Sequence, residues 1–511
     1  MTSDSTDVDL ERVYSIQPDE ADLRTINSCA SKSAQNNDVE ESVDPYEVKF
    51  DGFDDIENTN ATMSTWRKWF IVIIIATTSI CVTMISSAWA LASQNIMDAM
   101  DISREVSVLG ISMYIWGLGF GPLFLSPISE FYGRKITFVF GLSLCTCFEF
   151  LTEFSPNYGG MLFGRFMSGF FGSCFLSIAG GTVTDIFKKH EIGVPMCIYS
   201  LAPFMGPSLG PLLSGFVNAH IHWRWTFHIL TIFSGVMLMF VIFCLPETYV
   251  PILLVRKAKR IREKTGDDKY YAPLEKFRKH SLIVTCLQAP KRPLLLLLRD
   301  PMMAVLCSYT GLALGIVYLF FVAFPYIFRT VYGFGIWQQG LTFMGMLIGM
   351  IVGGSFAPYF QKVYNSRVHS HDGEDIPEFR FYPLMCGVIV VPMGLFIIAW
   401  TSYSDLHWIA PIIGSGVFGS GVALSFQGVF AYTGDAYRLY AASALAGNSL
   451  VRSTASGIFP LFGVQMMEGL GVHWGVSLLA FVAIAMIPAP FYFYRDGARL
   501  RARSPYAWNT D

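Results

Sequence analysis

The sequence predicts an all-α polytopic membrane protein whose 12 transmembrane helices form two pseudo-symmetric six-helix bundles. Three observations support this prediction. Of the 511 residues, 53% are hydrophobic and only 15% are charged, whereas soluble domains carry about 25% charged residues. The apolar residues are gathered into stretches long enough to cross the ~30 Å of hydrocarbon in a bilayer. The basic residues between these stretches fall in alternate gaps, as expected of a chain that crosses a membrane repeatedly.

The predicted helices follow one another in two sets of six. Residues 1–65 are polar, acidic and rich in Ser, Asp, Glu and Asn, so we expect a disordered cytosolic tail and no cleavable signal peptide. The N-terminal bundle is predicted over 66–246, a cytosolic middle loop over 247–300, the C-terminal bundle over 301–494 and a cytosolic tail over 495–511. The twelve spans are expected near 69–92, 108–128, 136–154, 159–183, 193–217, 226–246, 301–328, 341–361, 381–401, 408–431, 445–467 and 473–494. Two similar halves suggest a central site that opens alternately to each side.

The distribution of Lys and Arg predicts the orientation of the chain. The gaps that follow odd-numbered helices contain only Arg104, Arg224 and Arg329, whereas the other gaps and the C-terminal tail hold clusters of basic residues. Because cytosolic loops carry the excess of Lys and Arg, both termini are expected in the cytosol. The segment VRKAKRIREKTGDDK, which begins at Val255, is expected to form an amphipathic helix on the inner membrane surface, with a solvated linker as the alternative.

The gap between helices 2 and 3 carries charges around a glycine turn. It reads GPLFLSPISEFYGRK from residue 121, with Glu130 before Gly133 and with Arg134 and Lys135 after it. An ion pair here could hold one conformation and break in another, which is what a conformational latch requires. The alternative is that Arg134 and Lys135 only fix the topology.

Helix 5 has a regular pattern of prolines and small residues, and it reads APFMGPSLGPLLSGF from residue 202. The prolines recur every four positions, and so do small residues. One face can therefore approach a neighbouring helix closely, and another face lacks backbone donors. The pattern alone predicts a tight, kinked packing seam. Its central residues are Pro203, Gly206, Pro207, Gly210, Pro211 and Gly215.

Helix 4 places Arg165 well inside the predicted membrane. Embedding an arginine costs at least ~2.5–3.5 kcal/mol on insertion scales, so a functional role is the default hypothesis. Glu149 on helix 3 lies at a matching distance from the turn near Asn157 and is a candidate partner. The alternative is that Arg165 bonds to carbonyl groups or polar side chains of helix 1, such as Ser86 or Asn95.

These motifs resemble those of the major facilitator superfamily. The loop between helices 2 and 3 is similar to the signature Gly-x-Leu-x-Asp-Arg-x-Gly-Arg-Lys, with Ser126, Glu130 and Phe131 as departures. Its form resembles the fungal drug:proton antiporter branch with twelve spans. Helix 5 is similar to the antiporter signature Gly-Pro-x-x-Gly-Pro-x-x-Gly-Gly, with Ala202 and Ser214 as departures, and that signature is associated with export.

The resemblance covers nearly the whole chain, from about 66 to 504. The spacing Arg165-x-x-x-Gly169 is similar to the helix 4 signature, whose arginine is implicated in proton coupling. Asp185, at the end of a segment after helix 4, joins the implied latch residues Glu130, Gly133, Arg134 and Lys135. One departure is Ile192-Gly193, where relatives have Arg-Gly. Further similar segments are Trp223-Arg-Trp-Thr-Phe227, Leu245-Pro-Glu-Thr248, Asp435-Ala-Tyr437 and Asn448-x-x-x-Arg452.

The expected substrate site is a central cavity between the two bundles. Helices 1, 4, 7 and 10 and their neighbours should line it, and aromatic faces with few charges suit a flat, amphipathic organic solute. For each aromatic residue, ordinary helix packing is the alternative. The candidate cavity residues are Asn95, Tyr114, Tyr318, Phe321, Tyr326, Gln427 and Asn448.

The sequence thus predicts a proton-coupled antiporter that exports drugs, toxins or a secondary metabolite. No Walker A or HExxH pattern occurs, so an ATP-driven pump and a zinc protease are disfavoured, and we expect no metal or cofactor. A proton-coupled uptake symporter of the same fold is the alternative, and a polytopic membrane enzyme or receptor is disfavoured because catalytic clusters are missing.

We expect partnership with the small organic substrate, protons and the lipid bilayer, but not with nucleic acid. A monomer in the plasma membrane is expected, with the vacuolar membrane as the alternative location.

Overall fold

The computed structural model describes residues 46–50, 58–187, 191–277, 289–371, 376–437, 440–504 and 507. Within these residues the chain is helical, apart from one isolated bridge between Glu47 and Tyr271. The predicted all-α class is confirmed. Most of the tail predicted to be disordered, 1–45 and 51–57, lies outside the described residues. Its described parts are an extended segment over 46–50 and a single helical turn, Thr59–Thr62.

The long helices follow the predicted order, and we number the membrane-spanning ones α1 to α12. They are α1 (Thr65–Met100), α2 (Arg104–Tyr132), α3 (Arg134–Phe154), α4 (Tyr158–Ile186), α5 (Gly193–His220), α6 (Arg224–Cys244), α7 (Pro301–Tyr332), α8 (Ile336–His369), α9 (Pro377–Thr401), α10 (Ile409–Ala436), α11 (Ala441–Leu470) and α12 (Val472–Ala485). Local signals fix some of their ends. Asp300, for example, precedes Pro301 and accepts hydrogen bonds from the N–H groups of Met302 and Met303, which are free at the start of α7.

The outer surface of the bundle is apolar along the spans. Large hydrophobic side chains such as Phe154, Ile232 and Phe243 are 61–74% exposed there, which water would penalise and hydrocarbon would not. Eleven of the described helices are long and apolar enough to cross a membrane by composition alone, and α11 is not among them. Helix α11 packs against α7 and α2, so neighbouring helices cover it and it can carry polar residues.

The two halves meet closely at one end of the bundle. We call the end that holds Arg134 and Arg380 the basic end, and the end that holds Arg104 and Arg329 the opposite end. At the opposite end Arg104 Nη1 lies 3.0 Å from Glu468 Oε1 of α11. Along the same interface α2 packs on α11 and α5 packs on α8. These contacts join the two halves at the opposite end.

The helical structure extends beyond the predicted spans at the basic end. After α12 the chain continues as a helix over Pro488–Arg503, where the sequence suggested a tail from residue 495. The apolar stretch does end there, but Arg501 forms a buried ion pair with Glu378 at 2.8 Å and holds the continuation against α9. The middle-loop segment predicted to be helical from Val255 lies in a helix, Val250–Thr265, which Gly266 ends in the left-handed conformation. Its location on the membrane surface stays a prediction.

Candidate transport site

Glu247, which follows α6, holds the turn between α2 and α3. Gly133 has a φ of +100°, and a Cβ at this position would collide with the Glu247 carboxylate. The carboxylate accepts hydrogen bonds from the backbone N–H groups of Arg134 (2.9 Å) and Lys135 (3.2 Å) at the start of α3. A buried anion at a helix N-terminus satisfies donors that have no partner within the helix and interacts favourably with the helix dipole. The turn therefore requires glycine for both its backbone conformation and its space.

Arg134, a predicted latch residue, pairs with Asp185 at the end of α4. Its Nε lies 3.4 Å from Asp185 Oδ2, and Nη1 donates to Ser129 Oγ at 2.9 Å. The guanidinium carbon also lies 4.6 Å from the centre of the Tyr249 ring. The structure thus brings Arg134 and Asp185 together, whereas no Glu130 oxygen lies within 4.0 Å of a described basic nitrogen. Their action as a latch stays a prediction.

The C-terminal half repeats this pair at the same place in its own bundle. Arg380 at the start of α9 lies 2.7 Å from Asp435 at the end of α10, as Arg134 at the start of α3 lies near Asp185. The Arg380 guanidinium stacks over the Tyr364 ring, with 3.6 Å between its carbon and the ring centre. The repetition supports the predicted pseudo-symmetry of the two halves.

The small-residue face of α5 forms a seam with α1. A Cβ at Gly206 would overlap Thr83, and a Cβ at Gly210 would overlap Ser87 and approach a carbonyl of α1 at 2.7 Å. Backbone contact this close is possible only with glycine. The packing seam predicted from the sequence is present at these two positions.

The remaining residues of the α5 pattern face the other bundle and the space between the bundles. A Cβ at Gly215 would lie 3.1 Å from the Cα of Gly340 in α8, and a Cβ at Gly340 would lie 2.8 Å from the Pro211 carbonyl oxygen. Pro203 and Pro207 line the central cavity. One helix therefore contacts its own bundle, the opposite bundle and the cavity through residues four positions apart.

Arg165 is fully buried and is bound by backbone carbonyls. It donates to Ile85 O (2.8 Å) and Ser86 O (3.1 Å) in α1 and to Gly110 O (3.0 Å) in α2. Its guanidinium carbon lies 4.4 Å from the centre of the Tyr114 ring. The carbonyl alternative for Arg165 therefore fits this structure. Arg165, which lies on α4, joins this helix to α1 and α2 through all three nitrogens of its guanidinium group.

Glu149 lies near Arg165 without forming the predicted direct ion pair. No oxygen of Glu149 is within the 4.0 Å of an Arg165 nitrogen that an ion pair requires, although the two charges interact electrostatically. The direct Glu149–Arg165 ion pair predicted from the sequence is absent among the described residues, because the carbonyl groups of α1 and α2 already bind the Arg165 donors. Ser168 donates a 2.5 Å hydrogen bond to Glu149 Oε1. Glu149 Oε2 is buried and has no hydrogen-bond partner among the described residues.

A small central cavity lies between the two halves. Its volume is about 60 Å³, which is room for a few water molecules but not for a drug-sized solute, whose sites occupy about 300–1,000 Å³. The cavity must therefore expand before it can hold an organic substrate. Its lining residues are Thr83, Ile115, Leu118, Leu176, Pro203, Phe204, Pro207, Leu314, Val317, Tyr318, Met350, Ser449, Arg452 and Ser453.

Tyr318 is the one predicted cavity residue that lines this cavity. The other six lie outside its lining in this conformation, because which face of a helix turns inward depends on packing. Phe321 packs in the apolar core against Phe343, Tyr114 covers Arg165, and Tyr326 packs at the edge of the same core. The three polar residues lie elsewhere as well. Asn448 donates to Thr310 Oγ1, Gln427 donates to Gly353 O, and Asn95 is half-buried.

Comparison with known proteins identifies the family of the chain. The family model described as Major Facilitator Superfamily matches residues 69–460. The chain belongs to the Major Facilitator Superfamily. As a member of this transporter superfamily, the chain is a multi-pass membrane protein with the major facilitator fold.

Several members of the superfamily are similar to this chain over most of its length. The "Probable drug/proton antiporter YHK8" of Saccharomyces cerevisiae is 52% identical over 93% of this chain and 92% of its own length. The "Efflux pump atB" of Aspergillus terreus is 40% identical over 90% of each chain. The "Major facilitator superfamily multidrug transporter FLU1" of Candida albicans is 35% identical over 91% of this chain and 77% of its own length.

A solved superfamily structure has the same fold. It is described as "Partially occluded inward open conformation of the xylose transporter XylE from E. coli", and it matches with a TM-score of 0.58 over 84% of this chain and 99% of that chain. The two sequences are 12% identical, so the likeness concerns the fold alone.

Two residues of this superfamily member stand out in the structure although the sequence reasoning gave them no role. Arg452 lines the central cavity, and Glu247 caps α3. The argument that singled out Arg165, the cost of an embedded cation, applies equally to Arg452 in the middle of α11. Glu247 carries no such signal, because a carboxylate just after a span looks like an ordinary loop residue.

Proposed function

We propose that this chain is a proton-coupled antiporter that exports small amphipathic organic compounds by alternating access. The observation that carries the proposal is the 52% identity, over nearly the whole of both chains, to a yeast protein named a probable drug/proton antiporter. Two further relatives are named as an efflux pump and a multidrug transporter. The names of the relatives favour export over the uptake alternative.

The geometry supports transport through the centre of the molecule. An ion pair joins the halves at the opposite end, and a small cavity lies between them. A rocking motion of two similar bundles would expose this cavity to one side and then to the other. The paired charges at the basic end, Arg134 with Asp185 and Arg380 with Asp435, are the latch groups in this proposal.

Glu149 is the proposed proton carrier, and Arg165 is the group that sets its environment. A carboxylate that is buried inside a span, with one oxygen free of hydrogen bonds, can bind and release a proton as its access to water changes. Arg165 and Glu149 interact electrostatically, and a motion of α4 that separates the two groups would change this interaction. The coupling therefore works through proximity rather than through a direct ion pair.

Proton-driven transport by the E149Q variant tests this proposal. The wild-type chain in inside-out vesicles should accumulate a fluorescent amphipathic compound when a pH gradient is imposed. We expect E149Q to lose this accumulation, because glutamine cannot carry a proton, and to keep downhill movement of the same compound. The matched control E263Q alters an exposed glutamate of the middle-loop helix and should transport as the wild type does.

Two outcomes would contradict the proposal. Uphill accumulation by E149Q at the wild-type rate would remove Glu149 from the coupling. Substrate movement in the same direction as the protons would replace the antiporter with the uptake symporter of the same fold.

The proposal includes a location and an assembly state. The chain is proposed to act as a monomer in the plasma membrane. Both termini are proposed to lie in the cytosol, because the basic residues cluster at one end of the bundle. Epitope tags at the two termini should be accessible to antibody only after the cell is permeabilised.

A further inference from the structure

Arg452 is a cation in the central cavity whose donors have no hydrogen-bond partner among the described residues. Its side chain is half-buried on α11, and its Nε is buried with no hydrogen-bond partner among the described residues. No described carboxylate lies within 4.0 Å of the guanidinium nitrogens. The guanidinium carbon lies 5.5 Å from the ring centres of both Phe426 and Phe430 in α10. The two rings position the guanidinium but do not neutralise it.

The rest of the cavity lining carries no charge. The lining residues other than Arg452 are apolar or bear hydroxyl groups, and no aspartate, glutamate, lysine or second arginine is among them. Ser449 and Ser453 on the same helix, together with Tyr318 from α7, bring hydroxyl groups to the lining. A cation inside a membrane-spanning bundle without a counter-charge is costly, and an anionic ligand in the cavity would supply the counter-charge.

Aromatic rings surround the same place. Phe204 lines the cavity, and its ring centre lies 4.9 Å from that of Phe426, which in turn lies beneath Arg452. An apolar ring could pack against Phe204 while a planar anionic group reaches the guanidinium. The planar fork of arginine matches a carboxylate in a bidentate arrangement, which a lysine cannot reproduce.

We infer that Arg452 is an anion-binding subsite of the central cavity and that the preferred substrates are aromatic compounds that carry a carboxylate. This inference rests on the proposed export function, because it names the substrate class of the same cavity. The carboxylate is held by Arg452, with the hydroxyl groups of Ser449 and Ser453 nearby, and the ring lies on the Phe204 side. Neutral and cationic compounds of the same shape bind more weakly.

Equilibrium binding to the purified full-length chain in lipid nanodiscs tests the inference. The probes are 1-naphthoate, its neutral analogue 1-naphthamide and the cationic 1-naphthylmethylammonium, which share one ring system. We expect the wild type to bind naphthoate at least about tenfold more tightly than naphthamide, as a charge-assisted hydrogen bond would give. In R452Q this ratio should fall to about one, while naphthamide binding is kept. R452K should lie between, since it keeps the charge but not the fork.

The control variant is R329Q, which removes an exposed arginine at the opposite end and should keep the wild-type ratio. Naphthamide binding reports whether each variant is folded. If R452Q is not folded, the ratio of naphthoate to naphthamide affinity in R452K tests the inference instead. A wild type without preference for naphthoate, or a wild-type ratio in folded R452Q or in R452K, would overturn the inference. Because equilibrium binding needs no proton gradient, a chain that prefers naphthoate but moves no probe under a pH gradient contradicts the export function alone.

Discussion

The two halves of this transporter each embed an arginine in the membrane, and they treat it in opposite ways. Arg165 of the N-terminal half donates hydrogen bonds to three carbonyl groups of α1 and α2, and the Tyr114 ring packs against its guanidinium group. Arg452 of the C-terminal half rests on two phenylalanine rings and donates to no described residue. An embedded arginine thus holds helices together in one half, and in the other half its donors remain available to a ligand.

The basic end shows a second contrast between the halves. Both halves place an Arg–Asp pair between the start of the third helix of the bundle and the end of the fourth. The segments that follow the sixth helices make different contacts there. In the N-terminal half Glu247, just after α6, binds backbone N–H groups of α3, whereas in the C-terminal half Arg501, in the helix that continues α12, binds the Glu378 side chain of α9. The third helix of each bundle is thus held at its start by different chemistry.

The largest expected effect separates the two embedded arginines. R165A should lower the free energy of unfolding by about 3 kcal/mol or more, because three hydrogen bonds from a charged group are lost in a buried place. R452A should change it by less than about 1 kcal/mol, since its donors have no partner to lose. Thermal unfolding of the purified proteins, followed by tryptophan fluorescence, measures both.

R165K serves as a control for charge alone. Lysine has one nitrogen in place of the three guanidinium nitrogens that reach α1 and α2, so R165K should stay close to R165A in stability. Equal losses of stability in R165A and R452A would contradict the contrast between the two arginines, since Arg452 would then also hold helices together.

The second prediction concerns Glu247, which binds the backbone N–H groups at the start of α3. E247Q should lower the free energy of unfolding by about 2 kcal/mol, because the amide group turns a donor towards N–H groups that need an acceptor. Thermal unfolding in the same detergent is the measurement. E468Q, which alters a glutamate that is 49% exposed at the opposite end, is the matched control and should change stability little. An unchanged melting temperature for E247Q would show that water can replace the carboxylate at this turn.

Sequence reasoning predicted the helices better than it predicted the contacts between them. The order of the spans follows from the bilayer thickness, which any chain that crosses the membrane must match. The depth of Arg165 follows from its place in the chain, but its partners are backbone carbonyls, which every residue possesses and no pattern reveals. The sequence predicts a span near 445–467 from its apolar residues, and the structure has helix α11 there, although α11 is not among the eleven helices that are long and apolar enough to cross a membrane by composition alone.

The cavity lining was the least predictable part of the site. An aromatic residue on an inner helix can face the cavity or the core, and the choice depends on a rotation of the helix by a fraction of a turn. Tyr318 lines the cavity, while Phe321, three residues later on α7, packs against Phe343. The prediction of Asp185 as a latch residue came from a resemblance rather than from spacing, since the pairing of two helix ends is a property of the folded bundle.

The smallest expected effect tests whether the two basic-end pairs act independently. D185N and D435N should each lower the free energy of unfolding by about 1 kcal/mol or less, since both pairs are partly exposed to solvent screening. The Arg380–Asp435 pair is shorter, at 2.7 Å against 3.4 Å, but Asp435 is also more exposed, at 33% against 19%. These differences oppose each other, so we expect similar losses. The measurement is thermal unfolding of the two single variants and the double variant.

The double variant D185N/D435N tests whether the two pairs are coupled in stability and in transport. The pairs lie in different bundles and share no partner, so their effects on stability should add to within about 0.5 kcal/mol. Transport is expected to behave differently, because a rocking motion must change both pairs in one step. The rate of proton-driven efflux in the double variant should therefore depart from the product of the two single effects. Additive effects on the rate would mean that the two pairs act independently, and a wild-type rate in all three variants would mean that neither pair takes part in the motion, so that Arg134 and Arg380 would only fix the topology.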